Sequence, residues 1–277
     1  MVGASEYDQI GSAYNVIETL PYRSMEIRNV EMAIQPFLQP GMLVLDMACG
    51  TGSYTARLLS LGAGRVTGVD ISSVMIEEAK TRLAASLDAG LVRLCVGDGG
   101  MPQSWAPNGT ENYFDLVFGG WFLNYASSRA ELASFFKTIA INLAPNGVFV
   151  GIIFPLVDNN DEMQRRAVAY NLQPLCRLRP HLDYTTPRPS GDGWNVRVNL
   201  GDSVSFSAWH LYRHVFEEAA RDGGMLGAFE WRHESLLEMD PWAKYYGLSL
   251  HEFKMRQQMP HMCTVVVRKE AAITANI

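Results

Sequence analysis

The residues best placed to do chemistry lie at the ends of three strand-like segments. Residues 44–52 read VLDMACGTG, an apolar strand that ends on Asp46 and runs into a turn containing Ala48, Gly50 and Gly52. Small residues are needed where a backbone turns sharply or approaches a ligand closely, so a bound molecule is expected at this turn. Residues 65–72, RVTGVDIS, form a second strand ending on Asp70, and residues 91–98, LVRLCVGD, a third ending on Asp98. A carboxylate accepts two hydrogen bonds at once, which suits Asp70 to both hydroxyls of a ribose. Beside Asp98, residues Gly99, Gly100 and Met101 leave room for a flat ring. Ser53, Tyr54 and Thr55 follow Gly52 with no third glycine, so the G-x-G-x-x-G dinucleotide fingerprint is not met and NAD is disfavoured.

The remaining metal and thiol candidates are weaker. His210 and His214 are one helical turn apart, but no third ligand is near, so helix packing or surface exposure is expected and no metal site. Cys49, Cys95, Cys176 and Cys263 are too widely spread for a disulfide framework or a CxxC pair and read as reduced structural thiols. Cys49, inside the glycine turn, is placed to touch a ligand through its backbone.

The pattern D-x-A-x-G-x-G from Asp46 to Gly52 resembles motif I of the class I S-adenosylmethionine-dependent methyltransferases. Tyr7, Asp8, Ile10 and Tyr14 in Y-D-x-I-x-x-x-Y, LPYR at 20–23 and WFLNYA at 121–126 are similar to the toxoflavin synthase and UbiE-like small-molecule methyltransferases. The resemblance implies S-adenosyl-L-methionine as cofactor, with the turn passing under its methionine part and Asp98 holding the adenine amino group. It implies a cofactor shell of Asp46, Ala48, Cys49, Gly50, Gly52, Asp70, Ile71, Asp98, Gly99 and Gly119. Tyr14 would close that shell from the N-terminal segment, and Arg23 would pair with the cofactor carboxylate.

Methyl transfer from a sulfonium needs no catalytic triad. The protein brings a nucleophile to within about 3–3.5 Å of the methyl carbon and excludes water. A phenol or alcohol acceptor needs a base, for which His181 and Tyr125 are candidates. A carboxylate or tertiary nitrogen needs only positioning. Trp121, Asn124 and Tyr7 are candidate acceptor contacts, although Trp121 also reads as a core aromatic. Arg177 and Arg179 lie in a polar cluster between prolines, either a solvated loop or a lid whose forked hydrogen bonds recognise an acidic acceptor.

These residues need a scaffold that brings strand ends together. After the first strand, Tyr54, Leu58 and Leu61 mark a helix, and Val74, Met75, Ile76, Ala79, Leu83 and Leu87 mark another after the second. A fourth strand is expected over 113–120. A capping box at Ser128 and Glu131 opens a helix that stops at Pro145-Asn146-Gly147, and GVFVGIIF reads as a strand buried on both faces. Residues 155–192 read as loop, with Pro155, Pro174, Pro180, Pro187 and Pro189 interrupting regular structure. Strands over 194–200 and 203–209 joined by a turn at Gly201-Asp202, a helix over 211–220, and strands over 227–233 and 263–269 complete the chain.

The expected fold class is α/β: a Rossmann-like doubly wound seven-stranded mixed sheet with an N-terminal helical cap and a small inserted hairpin or lid. One domain over 1–277 is expected, divided into a cap at 1–40, a cofactor-binding core at 41–154, an insertion at 155–209 and the rest of the sheet at 210–277. The 277 residues are 48% apolar, enough to fill such a core, and the net charge of −6 without a basic run argues against a nucleic-acid surface. The N-terminus lacks the pattern of a signal peptide and no apolar stretch of about 18 residues occurs, so a soluble cytoplasmic protein, monomer or homodimer, is expected. The function expected is methyl transfer to an oxygen, carboxylates included, or a nitrogen of a small molecule in specialised metabolism. The alternative is a cofactor-binding regulatory or scaffold subunit, or a non-methylating enzyme, on the same fold.

Overall fold

The structure is a computed structural model that describes residues 5–171, 179–201, 204–234 and 244–270. An N-terminal segment of α1 (Glu6–Ile10), a 3-10 stretch (Gly11–Thr19) and α2 (Arg23–Ile34) precedes an alternation of strands and helices. The alternation comprises β1 (Leu43–Met47), α3 (Ser53–Ser60), β2 (Arg65–Asp70), α4 (Ser73–Arg82), α5 (Ala84–Asp88), β3 (Val92–Val96), β4 (Phe114–Gly120), α6 (Arg129–Asn142) and β5 (Leu143–Ile153). Beyond it lie α7 (Asn160–Ala169), β6 (His181–Pro187), β7 (Gly193–Leu200), β8 (Val204–Leu211), α8 (Arg213–Asp222), β9 (Phe229–His233), α9 (Leu250–Gln258) and β10 (Cys263–Arg268).

Seven strands form one sheet in the order β3-β2-β1-β4-β5-β10-β9. The first five run parallel, and β10 and β9 are antiparallel additions. The apolar runs of β1, β4 and β5 are central because helices cover both faces and leave almost every residue buried. Chain order reverses between β1 and its neighbour β4, with Met47 opposite Gly119. At such a switch point the loops leaving the two strands diverge and open a crevice.

Three features depart from the sequence expectation. Residues 155–192 are not all loop, because α7 and β6 fall within them. Asn159 caps α7 by accepting from the Glu162 N–H, and Pro155 and Pro187 lie before the helix and at the end of the strand, so these prolines delimit structure rather than block it. The helix expected from Val74 to Leu87 is broken at Leu83, whose side chain turns inward to pack against the glycine turn. The helix before β5 ends at Asn142, and Pro145 and Asn146 lie inside the strand.

The strands β6-β7-β8 make a second, antiparallel sheet with Val198 opposite Phe206. Its alternating buried face, including Leu182, Val196, Val198 and Phe206, packs on Ile17 and Tyr22 of the N-terminal segment and on Phe154. The described part of the 201–203 turn is Gly201, with a positive φ of 65°; Asp202 lies outside the described residues. No described helix is long and apolar enough to cross a membrane.

The long connection from β3 to β4, which carries Asp98, is anchored on α6 by one buried side chain. Asn142 Oδ1 accepts from the Trp105 N–H at 2.7 Å, and its Nδ2 donates to the Gln103 carbonyl at 2.8 Å and the Thr138 carbonyl at 2.9 Å. Asn142→Ala strands buried backbone groups, and a loss of about 3 kcal/mol in unfolding free energy is expected in urea denaturation.

Candidate active site

A cavity of about 320 Å³ opens at the switch point. Its floor is the turn after β1. There the ladder reaches two residues past the strand, as Cys49 N–H donates to the Val69 carbonyl at 2.9 Å, and the chain curls through positive φ at Ala48 (56°), Gly50 (53°) and Gly52 (79°). A Cβ on Gly50 would meet no protein atom within 4 Å, so the missing side chain keeps the cavity clear. Gly52 has a different reason: a Cβ there would come within 2.8 Å of Leu83.

Asp70 forms one wall. Its Oδ2 accepts from the Gly50 N–H at 2.8 Å and its Oδ1 from the Ser72 N–H at 2.9 Å. Each oxygen keeps a lone pair for a further donor, so the side chain has capacity for two ligand hydroxyls. Burial pushes its carboxyl up to about 6, against the pull of the two amides. Asp98, whose Oδ1 accepts from the Gly100 N–H at 2.8 Å, lines the same cavity.

Of the residues expected to hold the cofactor, Tyr14, Arg23, Ala48, Cys49, Gly50, Asp70, Ile71, Asp98 and Gly99 line the cavity. Asp46, Gly52 and Gly119 do not. Asp46 is buried beneath the turn, where Thr55 Oγ1 donates to it at 2.6 Å and fixes the start of α3. Gly119 packs against Phe122 and Phe149, and Gly120 faces the cavity in its place. The room beside Gly99 and Gly100 is taken by Phe122 and Phe135, whose rings stack at 4.6 Å. Cys49 is buried, which pushes its thiol well above the ordinary range and leaves it inert.

Arg23 is not a free cation for a carboxylate. Its guanidinium is paired with Glu26 and Glu18, donates to Tyr54 OH at 2.9 Å and to Ser53 Oγ at 3.0 Å, and stacks over the Tyr54 ring. Ser53 and Tyr54 lie in the first turn of α3, so this cluster joins the N-terminal segment to the glycine turn. Glu26 is legible as its partner three residues on, a signal that the sequence reading missed.

The roof comes from the N-terminal segment and the second sheet. Tyr14 and Tyr125 each meet Tyr7 edge to face, Tyr7 and Tyr14 lie against Phe206, and the Tyr7 and Tyr125 hydroxyls are hydrogen-bonded to each other. Burial pushes all three phenols up, so they stand neutral and act as donors. Trp121, at φ 63°, presents its ring to the cavity while its Nε1 donates to Glu26 at 3.3 Å. Ile17, Glu131 and Trp209 also line the cavity without having been foreseen, and for Trp209 the alternation of β8 was the available signal.

The other catalytic and acceptor candidates fare unevenly. His181 is half exposed on the edge strand β6, paired with Asp183 at 2.8 Å, and lines no cavity; it is not positioned as a base. Tyr125 is at the site. Arg179 is buried, donates to the Met259 and Tyr170 carbonyls at 2.6 Å and stacks over Tyr170, so its fork is committed to the protein's own backbone. Arg177 lies outside the described residues, as does Cys176. His210 belongs to β8 rather than a helix, between Tyr184 OH at 2.9 Å and the Pro155 carbonyl at 2.7 Å, and burial lowers it to about 3. His214 is on the following helix, so the two do not form a one-turn pair.

A parallel sheet with this strand order, a positive-φ glycine turn and an acid at the end of β2 defines a cofactor-binding α/β fold of the Rossmann-like kind. Residues 44–147 match the methyltransferase domain family. The matched segment and the fold are similar to those of the class I S-adenosylmethionine-dependent methyltransferases. Among curated relatives, demethylmenaquinone methyltransferase of Symbiobacterium thermophilum is 32% identical over 52% of this chain and 55% of its own length. Trans-aconitate 2-methyltransferase of Escherichia coli is 32% identical over 43% of this chain and 42% of its own. The chain thus spans about half the length of the curated relatives it matches. An S-adenosylmethionine-dependent methyltransferase from Mesorhizobium loti has the same fold, with a TM-score of 0.55 and 21% identity over 86% of this chain and 97% of its own. The cofactor of this class is S-adenosyl-L-methionine, and the open side of Gly50 beside the buried Asp70 carboxylate fits it.

Two outcomes are expected. Asp70→Asn removes an acceptor from the wall, and calorimetry is expected to show cofactor affinity reduced about 100-fold. Burial also pushes the Asp46 carboxyl up to about 7. Both acids then titrate above the roughly 3.9 of an unfolded aspartate, so the folded state binds more protons between these values and their contribution to stability falls as pH rises from about 4 to about 7. Scanning calorimetry of ligand-free protein is expected to show a smaller decline of the unfolding midpoint over that window in Asp46→Asn than in the unsubstituted chain.

Proposed function

We propose that the chain transfers a methyl group from S-adenosyl-L-methionine to a small, planar, largely apolar acceptor that ionises by itself. The observation that carries this reading is one cavity lined by two chemically distinct sets of residues. One set is the Gly50 cradle and the Asp70 carboxylate; the other is Tyr7, Tyr14, Trp121, Tyr125 and Trp209. When bound, the cofactor supplies an electrophilic methyl group.

The protein's own groups then decide which acceptors react. Aromatic walls favour a flat ring and exclude water. The three tyrosine hydroxyls are held neutral and are poor bases; Tyr7 and Tyr125 share one proton in their mutual hydrogen bond, which leaves the other proton of that pair to donate to an anionic oxygen. Asp98 and Glu131 also line the cavity and accept a backbone N–H from Gly100 and Ser127, and Glu6 and Glu18 are ion-paired with Arg197 and Arg23. An acceptor with a readily ionised phenol or enol is therefore favoured, and the methyl group arrives at that oxygen or at a ring carbon conjugated with it. An acceptor of the demethylmenaquinone kind fits these walls better than a tricarboxylate such as trans-aconitate. Arg23 and Arg179, the described arginines in question, are each neutralised or committed within the protein.

Incubation with methyl-deuterated cofactor tests the proposal. Mass spectrometry is expected to show label transferred to hydroxylated naphthalenes faster than to trans-aconitate. The opposite order sinks the acceptor assignment, and cofactor binding without transfer to any acceptor points instead to a binding subunit.

A further inference from the structure

Asn124 lies on the short 3-10 turn Phe122–Tyr125 that follows β4, and it is 2% exposed. Its Nδ2 donates to the Trp209 carbonyl at 3.1 Å. A carbonyl only accepts, so this bond fixes which way the amide faces. The atom left over is Oδ1, buried and without a hydrogen-bond partner among the described residues. Buried side-chain oxygens of this kind are normally satisfied, and an exception points to a partner from outside the chain.

Asn124 lines a second cavity of about 30 Å³. It adjoins the main one, with Tyr14, Ile17, Trp121 and Tyr125 as shared walls. Its volume matches the space taken by one water molecule. A ring does not fit there, but a hydroxyl or amino substituent carried by a ring in the main cavity does. Apart from Asn124, the described walls are apolar except for Tyr14, Tyr22, Tyr125 and His261.

We propose that this annex selects acceptors carrying a second polar substituent, remote from the methylated atom, that donates a hydrogen bond to Asn124 Oδ1. The substituent is a hydroxyl or a primary amine. A methoxy or keto group in the same place sets oxygen against oxygen and is rejected. The proposal rests on the methyl-transfer reading of the main cavity.

The test is calorimetric binding, to protein saturated with S-adenosylhomocysteine, of 2,7-dihydroxynaphthalene against 7-methoxy-2-naphthol and of resorcinol against 3-methoxyphenol. The diols are expected to bind about 10-fold or more tightly than their ethers. In Asn124→Leu the ratio is expected to shrink to below about twofold, with S-adenosylhomocysteine affinity unchanged. Asn124→Ala, which removes the acceptor without filling the annex, is expected to behave like the leucine variant, and retained S-adenosylhomocysteine affinity in both guards against a folding defect. A ratio that persists in both variants, or an unsubstituted protein that does not discriminate or binds no member of either pair, overturns the proposal. Label transfer that continues alongside such a result leaves the methyl-transfer reading standing, whereas failure to bind S-adenosylhomocysteine removes that reading itself.

Discussion

The site depends on a single buried carboxylate shared between two strand ends. Asp70 takes the Gly50 N–H from the turn after β1 and the Ser72 N–H from the start of α4, and so ties the two crossover connections together. A carboxylate in so dry a place is costly unless its oxygens are satisfied and a helix N-terminus lies close. Both conditions are met, because Ser72 caps α4. The tie forces the chain between Met47 and Gly50 into left-handed conformations, one of them on Ala48. Gly52 then lets Leu83 close the turn from behind. Cavity floor, helix start and sheet register are thus one mechanical unit.

The roof is built on another principle. It is assembled from elements distant in sequence, held by aromatic packing and by ion pairs from the N-terminal segment. Trp121 carries much of this. It sits where β4 ends, in a conformation that bulky residues seldom adopt, with its indole tied to Glu26 and packed near Phe154 and His261. Strain at a wall of the cavity is the kind that surrounding contacts have to enforce.

The floor was legible in the sequence because its determinants are local. Strand, acid and glycine turn are contiguous, and the 3.6 and 2.0 periodicities place the helices and strands that follow. Legibility failed where a residue's role depends on what meets it in space. Asp46 has the right type and spacing for a ligand contact, yet it lies under the turn and serves Thr55. Gly99 does line the cavity, but the phenylalanines at 122 and 135 that share its wall were not foreseen from the glycines alone. Arg23 and Arg179 looked like anion binders until Glu26 and the Tyr170 and Met259 carbonyls were seen to occupy them. The proline-rich stretch concealed α7 and β6 because a proline at an element's edge and one that breaks it look alike in sequence.

The N-terminal segment touches both halves of the molecule through bonds at its surface. Asp8 accepts from Ser72 Oγ at 2.7 Å on the core side, and Glu6 pairs with Arg197 and accepts from the Ser207 N–H, both at 2.9 Å, on the side of the second sheet. Residues between them wall the cavity. The Arg197 and Glu6 side chains of this clasp are 39% and 49% exposed, so water and counterions reach it. Dissolved salt therefore weakens the Glu6–Arg197 side of the clasp while the buried contacts beneath it are screened far less.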